Sequence, residues 1–276
     1  VNGTISASAG PPTYASGGGA GGSVWLNCAT FGGATSGLIR VQGSSGDFLG
    51  VSQAAGGGGG GRIAVNYASL AAEHAVRFRA SAGATGWRSN DWDVAWIHAP
   101  KMGTLYVPDT ALLSATLNDE LFRDVRLFFP TNEWSVDSLT VSNCWFVFGD
   151  EGFQLTVTNG LLVDNGTLGA GAANGSNGVQ ILVGQDLLLT NRSRLYLFSG
   201  RTNGVLDYGG RLAVTGNAVV ASNCWIFPYA HQTNGGAVKL ESASLRVQAG
   251  GGIDADGKGF ANDQGPGKGA AHSSGW

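Results

Sequence analysis

The run SNCWFVF at Ser142–Phe148 comes back as SNCWIFP at Ser222–Pro228. Motifs that recur whole, rather than only as strand spacing, mark a chain built from stacked units, each burying the face of the last. Other echoes follow. RTNG, ending at Gly204, returns as QTNG, ending at Gly235, and LIRVQG at Leu38–Gly43 returns as SLRVQAG at Ser244–Gly250. AVRFRASAG at Ala75–Gly83 is a looser relative of the same motif.

Between these echoes lie short apolar-x-apolar runs: GRIAV, GTLYV, DSLTV, FQLTV, GRLAV and AVKL. Alternation this short, ended by Gly, Asn or Asp, predicts strands separated by turns. Continuous apolar runs such as LLLT, WFVF and LYLF suit strands buried by neighbours along a stacking axis. Asparagines recur at the corners, Asn143 with Asn223 and Asn203 with Asn234, where stacking at one strand spacing would let their amides form ladders. One stretch reads otherwise: in PDTALLSATLNDELF, Asp109 is placed to cap a helix and Leu113, Leu117 and Leu121 recur every four residues. The pattern as a whole predicts an all-β fold, a right-handed parallel β-helix or β-solenoid with Gly-rich corners and few or no helices. Candidate coils in the second half begin near Gly178, Gly204 and Gly235; a sandwich is the alternative.

The chain holds 47 glycines among 276 residues, six of them consecutive in AAGGGGGGRIAVNY. Glycine costs the most backbone entropy to order. A phosphate-binding loop is excluded by context, since a strand pattern rather than a helix follows the run. The run GPGKGA also has Ala270 where such a loop needs a hydroxyl. In a solenoid, however, neighbouring coils lie about 4.8 Å apart, so glycine runs fit corners or extended strands that pack backbone against backbone. A flexible linker is the competing reading.

Composition removes several function classes. With 43% hydrophobic residues and 8 Trp, 12 Phe and 6 Tyr, the chain can fill a core and is not a disordered glycine tract. Net charge is −3 and no basic stripe exists, which argues against nucleic acid as a partner. No apolar run is long enough to be inserted in a membrane as a helix. Starting at Val1 without Met or a leader, the sequence reads as a processed chain or a fragment. The three cysteines, Cys28, Cys144 and Cys224, each follow an asparagine and match no zinc spacing. They read as buried small residues at equivalent repeat positions, with a disulfide between two of them as the alternative.

The termini resemble each other. GTISASAG at Gly3–Gly10 aligns with GGIDADGKG at Gly251–Gly259, placing Ile5 on Ile253, and each leads into a Gly-rich tail. Either the chain is one unit of a tandem array, or copies stack end to end. Four stretches follow in order as one continuous domain: Gly-rich β coils over 1–86, a Trp-rich connecting loop over 87–103, solenoid coils over 104–250, and a Gly-rich segment over 251–276.

GGSVWLNCATFGG, GLIRVQGSSG and GGGGGGRIAVNY, with GTLYVPDTALL and LTVTNGLLVDNGTLGAG, resemble the glycine-rich repeats of very large secreted bacterial surface proteins, in the company of adhesins and autotransporter passengers. The resemblance covers most of the chain and is compositional as much as positional. It implies a parallel β-helix in an extracellular, cell-surface, structural or adhesive role, and it carries over no catalytic residue.

Chemistry-bearing groups are sparse. The four His are scattered, without a metalloprotease or nucleophile-elbow pattern. Acid pairs adjacent in sequence do not supply the facing carboxyls of glycoside hydrolysis. DADGKG offers Asp254 and Asp256 as oxygen ligands for calcium, against a plain solvated turn. GWRSNDWDVAW sets Trp87, Trp92 and Trp96 near acids and an arginine, a glycan or subunit contact surface or else a mini-core anchoring a loop. Trp276 is an apolar anchor for an end-to-end joint. The expectation is therefore a non-enzymatic subunit of a bacterial surface filament or array, partnered head to tail by its own copies. A polysaccharide-binding or polysaccharide-degrading β-helix is the alternative.

Overall fold

Regular structure among the described residues is strand throughout, as the alternating runs predict. The computed structural model describes residues 1–13, 16–46, 55–84, 101–202 and 208–268. In chain order the strands are β1 (Thr4–Ser6), β2 (Ser23–Gly33), β3 (Leu38–Arg40), β4 (Arg62–His74), β5 (Arg77–Arg79), β6 (Gly103–Tyr106), β7 (Thr116–Asn118), β8 (Phe122–Arg123) and β9 (Val125–Phe128). Then come β10 (Glu133–Val136), β11 (Leu139–Ser142), β12 (Trp145–Phe148), β13 (Gln154–Val157), β14 (Leu161–Asp164), β15 (Thr167–Ala170), β16 (Gln180–Val183) and β17 (Leu187–Thr190). The last are β18 (Arg194–Phe198), β19 (Gly210–Val220), β20 (Trp225–Tyr229), β21 (Val238–Val247) and β22 (Gly252–Ile253). No helix occurs among the described residues.

The chain forms two compact units, Val1–Thr131 with Val141–Phe148, and Asn132–Thr140 with Gly149–Trp276. In the first unit, two parallel ladders run β1-β3-β5-β8 and β2-β4-β6-β9-β12. In the second, β10-β13-β16-β19 and β14-β17-β19 share the long β19, which β21 extends, and β15-β18-β20-β22 forms another ladder. These pairings are parallel and in register apart from one shift in each of the long β2–β4 and β19–β21 pairs, so equivalent side chains stack. Ile39, Phe78 and Phe122 lie in line in the first unit, as do Ile63, Leu105 and Leu127, all buried. In the second unit Leu155, Ile181 and Leu212 do the same, as do Val163, Leu189 and Val220. Period-two alternation puts these rows inside and their neighbours outside.

The glycine runs are extended segments, not linkers. Three-residue periodicity governs them. A Cβ on Gly58 or Gly61 would sit about 2 Å from the carbonyl oxygens of Gly19 and Gly22, and one on Gly57 or Gly60 would meet Gly83 and Ala80 oxygens at 2.3 and 2.0 Å. At Gly56 the space is open, and at Gly59 a Cβ would meet only the Lys101 oxygen at an ordinary 3.5 Å. The preceding run repeats the rule: Gly18 and Gly21 face Ser44 and Val41 oxygens, while the open third position carries Ala20. Hydrogen bonds follow the same period, Gly58 and Gly61 donating to Ser44 and Val41, and Gly56 and Gly59 accepting from Gly18 and Gly21. Three residues per turn with every bond going to a neighbour is the behaviour of polyproline II-type segments. Two of the three faces of the six-glycine run, and one face of the preceding run, are closed by backbone, which is why the chain accepts glycine's entropic cost there.

Corners need a different conformation. Asn143, Asn165, Arg192, Asn223 and Gly250 each sit two residues before a strand, β12, β15, β18, β20 and β22, and each has positive φ. Asparagine tolerates this left-handed region better than other non-glycine residues. A backbone shape thus recurs at Asn143 and Asn223. Side-chain ladders are present in the second unit: Gln185 donates to Asn159 (3.2 Å), Asn217 to Asp186 (3.1 Å) and Ser244 to Asn217 (2.7 Å).

The leucine spacing after Asp109 does not produce a helix. Leu112, Leu117 and Phe122 are the buried positions, five apart, a spacing that no single helix face provides. Asp109 accepts the Ala111 N–H (2.9 Å) and the Tyr67 hydroxyl (2.5 Å), closing a turn and tying it to β4. Tertiary burial of Leu117 in β7 overrides the local helical pattern.

Candidate functional site

The stacked rows make an interior that stops without a cover. In the second unit, β21 repeats the inward register of β19: Leu245 lies beside Ala218 and Val247 beside Val220. Ile253 of β22 likewise lies beside Ile226. Ala218, Val220 and Ile226 are 5% exposed or less, yet Leu245, Val247 and Ile253 are 52%, 43% and 36% exposed. These three are core-register residues of the final layer, with no further strand paired beyond them among the described residues. The motif kinship makes the contrast sharper. In LIRVQG, Ile39 and Val41 are 0% exposed, and Leu245 and Val247 hold the same places in SLRVQAG.

Backbone polarity follows the same division. Among the described residues, β21 and β22 each pair with one strand, β19 and β20, so one edge of each presents unpaired donors and acceptors. In the first unit β1 and β2 each pair on one side only, with β3 and β4, and Ile5 and Leu26 are only partly covered. The aligned Ile5 and Ile253 thus both occupy edge strands. The first half of β21 carries charge: Glu241 binds Lys239 (2.7 Å) and Arg211 (2.5 Å). Hydrogen bonds from Lys239 and then Arg211 hold its carboxyl below the usual range. The second half, with Leu245 and Val247, has no such guard beyond the exposed Arg246.

The calcium candidates form a compact turn. Asp254 Oδ1 accepts the Asp256 N–H (2.8 Å) and Oδ2 lies 3.2 Å from Lys258 Nζ. The Asp256 N–H, followed by Lys258, lowers the Asp254 pKa. A cation would have to displace an ammonium to reach this carboxylate. Among the described residues no three His, Cys, Asp or Glu side chains converge as a metal group.

Lys258 also sits over the rings of Phe227 (5.2 Å) and Tyr229 (5.6 Å). Those rings belong to a ladder on the outer face of β18 and β20: Tyr196 stacks on Phe227 (4.8 Å) and Phe198 on Tyr229 (4.9 Å). Ring faces turned toward each other and toward an ammonium are consumed by the fold, leaving edges outward.

Of the thiols, Cys144 and Cys224 point inward and are buried, with Trp145 outward at 46% exposure, as strand alternation requires. Burial pushes the Cys144 thiol up to about 12, with Asp124 and Asp119 adding to it. Cys28 departs from the expected equivalence: it lies within β2, only partly covered, on an edge strand. All three thiols are free. Trp87, Trp92, Trp96 and Trp276 lie outside the described residues.

For assembly the sequence points to the Gly-rich tails, and Leu245, Val247 and Ile253 pass there as ordinary strand residues. A signal for two of them exists all the same, because the LRVQ echo by itself assigns Leu245 and Val247 to interior positions. No family model matches this chain, and no curated protein or solved structure matches it either.

Proposed function

We propose that the chain winds as a right-handed parallel β-helix and serves as a structural unit of a bacterial cell surface, joined head to tail with further copies of itself. The observation that carries this reading is the uncovered interior row at Leu245, Val247 and Ile253, exposed in β21 and β22 while its register partners are buried. Apolar side chains of this size are stabilised by roughly 1.5–3 kcal/mol each when fully buried, so the open row favours association. The occupant is the β1–β2 end of another copy. It has the complementary need: unpaired parallel edges and part-covered Ile5 and Leu26. A contact between two different ends is heterologous, and it propagates as a filament when it does not close. The surface location rests on the likeness of the glycine-rich runs to secreted surface proteins.

Sedimentation velocity over a wide concentration range tests the reading. Wild-type protein is expected to shift to larger species as concentration rises, and Leu245→Asp to remain at the smallest one. A wild type that stays monomeric at high concentration, or a Leu245→Asp variant that assembles equally well, overturns it.

A further inference from the structure

We infer that a polar groove in the second unit binds a linear, uronate-bearing polysaccharide. The groove has a volume of about 380 Å³ and crosses successive strand layers rather than following one strand. Three glycines contribute backbone to its lining. Gly152, Gly178 and Gly209 each stand two residues or one before β13, β16 and β19. A Cβ on Gly209 would lie 2.1 Å from the Gly200 oxygen, so that position is glycine by necessity.

Hydrogen-bonding groups stand along the walls. Gln154 and Gln180 occupy the same register position on neighbouring strands β13 and β16, so their amides repeat at the strand spacing of about 4.8 Å. A donor–acceptor array repeated along the stacking direction suits a polymer of hydroxyl-bearing units better than a compact ligand. Asn132 supplies a second indication. Its Nδ2 donates to the Glu151 carbonyl (2.6 Å), while its Oδ1 is buried with no partner among the described residues. A buried acceptor left open costs stability, and a sugar hydroxyl in the groove satisfies it once the Asn132 side chain shifts to meet it.

Charge selects the class of sugar. Arg201 lines the groove, and its planar fork matches a carboxylate. At one end of this ladder, Arg211, the register neighbour of Gln180, and Lys239 share the single carboxylate of Glu241, which leaves a cationic excess at that end. The counter-charges nearby are Glu133, the register neighbour of Gln154 on the other side, and Glu151, whose Oε1 is held by the Asn177 N–H (2.7 Å). Tyr208 adds an aromatic side chain to the lining, with Lys239 over its ring at 5.4 Å. Amides for hydroxyls, an arginine for a carboxylate and an aromatic side chain make a saccharide set. It depends on register within the second unit and not on end-to-end assembly, so the two ideas fail separately.

Isothermal titration of the full chain with tetragalacturonate and with cellotetraose is the test, using wild type, Arg201→Ala and Gln180→Ala. All three proteins are expected to melt alike, because both side chains lie outside the core rows. Wild type is expected to bind the acidic tetrasaccharide more tightly than the neutral one and to lose affinity when salt is raised. Arg201→Ala is expected to lower affinity for tetragalacturonate by about tenfold or more, and Gln180→Ala to lower it for both sugars. Absence of tetragalacturonate binding by wild type, or binding unchanged in both variants, overturns the inference.

Discussion

Replacing a single glycine in the six-residue run separates backbone packing from flexibility. In Gly58→Ala the new Cβ would fall 1.9 Å from the Gly19 oxygen and 2.3 Å from the Gly19 carbonyl carbon. Both are main-chain atoms that no rotamer change can move. Restoring van der Waals contact requires the two segments to part by about 1.5 Å. That displacement breaks the Gly58 N–H to Ser44 bond (2.9 Å) and strains the Ser44 N–H to Gly19 bond (2.9 Å). Two hydrogen bonds at about 1 kcal/mol each, together with an overpacking cost of about 1–3 kcal/mol, give a loss of about 3–5 kcal/mol. One residue on, Gly59→Ala meets only the Lys101 oxygen, at 3.5 Å, which is ordinary contact. It is expected to be neutral or to gain up to about 1 kcal/mol, because alanine restricts the unfolded chain. Urea denaturation followed by circular dichroism reads the difference as a shift in midpoint. Two variants within about 0.5 kcal/mol of each other would falsify the backbone-packed account of the run and restore the linker reading.

Other outcomes follow from individual residues. In native protein, Cys28 is expected to react with a thiol reagent while Cys144 and Cys224 stay unmodified, so mass spectrometry should find one adduct; modification of all three without denaturant contradicts the buried placement. Because the folded Cys144 thiol keeps its proton up to about pH 12 and the unfolded thiol ionises lower, stability should fall as pH rises above the unfolded value, by about 1.4 kcal/mol per pH unit. Cys144→Ala should flatten that slope in denaturation curves taken at several alkaline pH values. Asp109→Ala removes the acceptor of both the Tyr67 hydroxyl and the Ala111 N–H, and should cost about 1–2 kcal/mol, read as a lower Tm. Asn223→Gly should leave Tm nearly unchanged, whereas Asn223→Val should cost about 1–2 kcal/mol because φ there is 61°.

The strands were legible because alternation is written directly in runs such as FQLTV and GRLAV, whose inward positions Leu155, Val157, Leu212 and Val214 are buried. The SNCW repeat likewise placed Cys144 and Cys224 inside. The three-residue rule of the glycine runs was not legible, since six identical residues carry no phase; only Ala20, at an open position, hints at it. The segment after Asp109 misled because leucines at four-residue spacing satisfy a helix locally, while the buried set Leu112, Leu117 and Phe122 is fixed by strands distant in sequence. Groove residues such as Gln154 and Gln180 look like ordinary strand-surface polars until register sets them side by side. The saccharide reading of the sequence therefore fell on the tryptophan-rich stretch instead.

Amide hydrogen exchange measured at low and high protein concentration tests the central claim, that an unfinished core is completed by another copy. Within β21 the amides facing away from β19, and within β2 those facing away from β4, have no strand partner among the described residues. If the β21 end meets the β2 end of the next copy, peptides covering Val238–Val247 and Ser23–Gly33 should both slow in exchange as concentration rises, while interior strands such as β14 and β16 remain unchanged. Exchange in β21 and β2 that is independent of concentration, up to the highest the protein tolerates, would contradict end-to-end assembly.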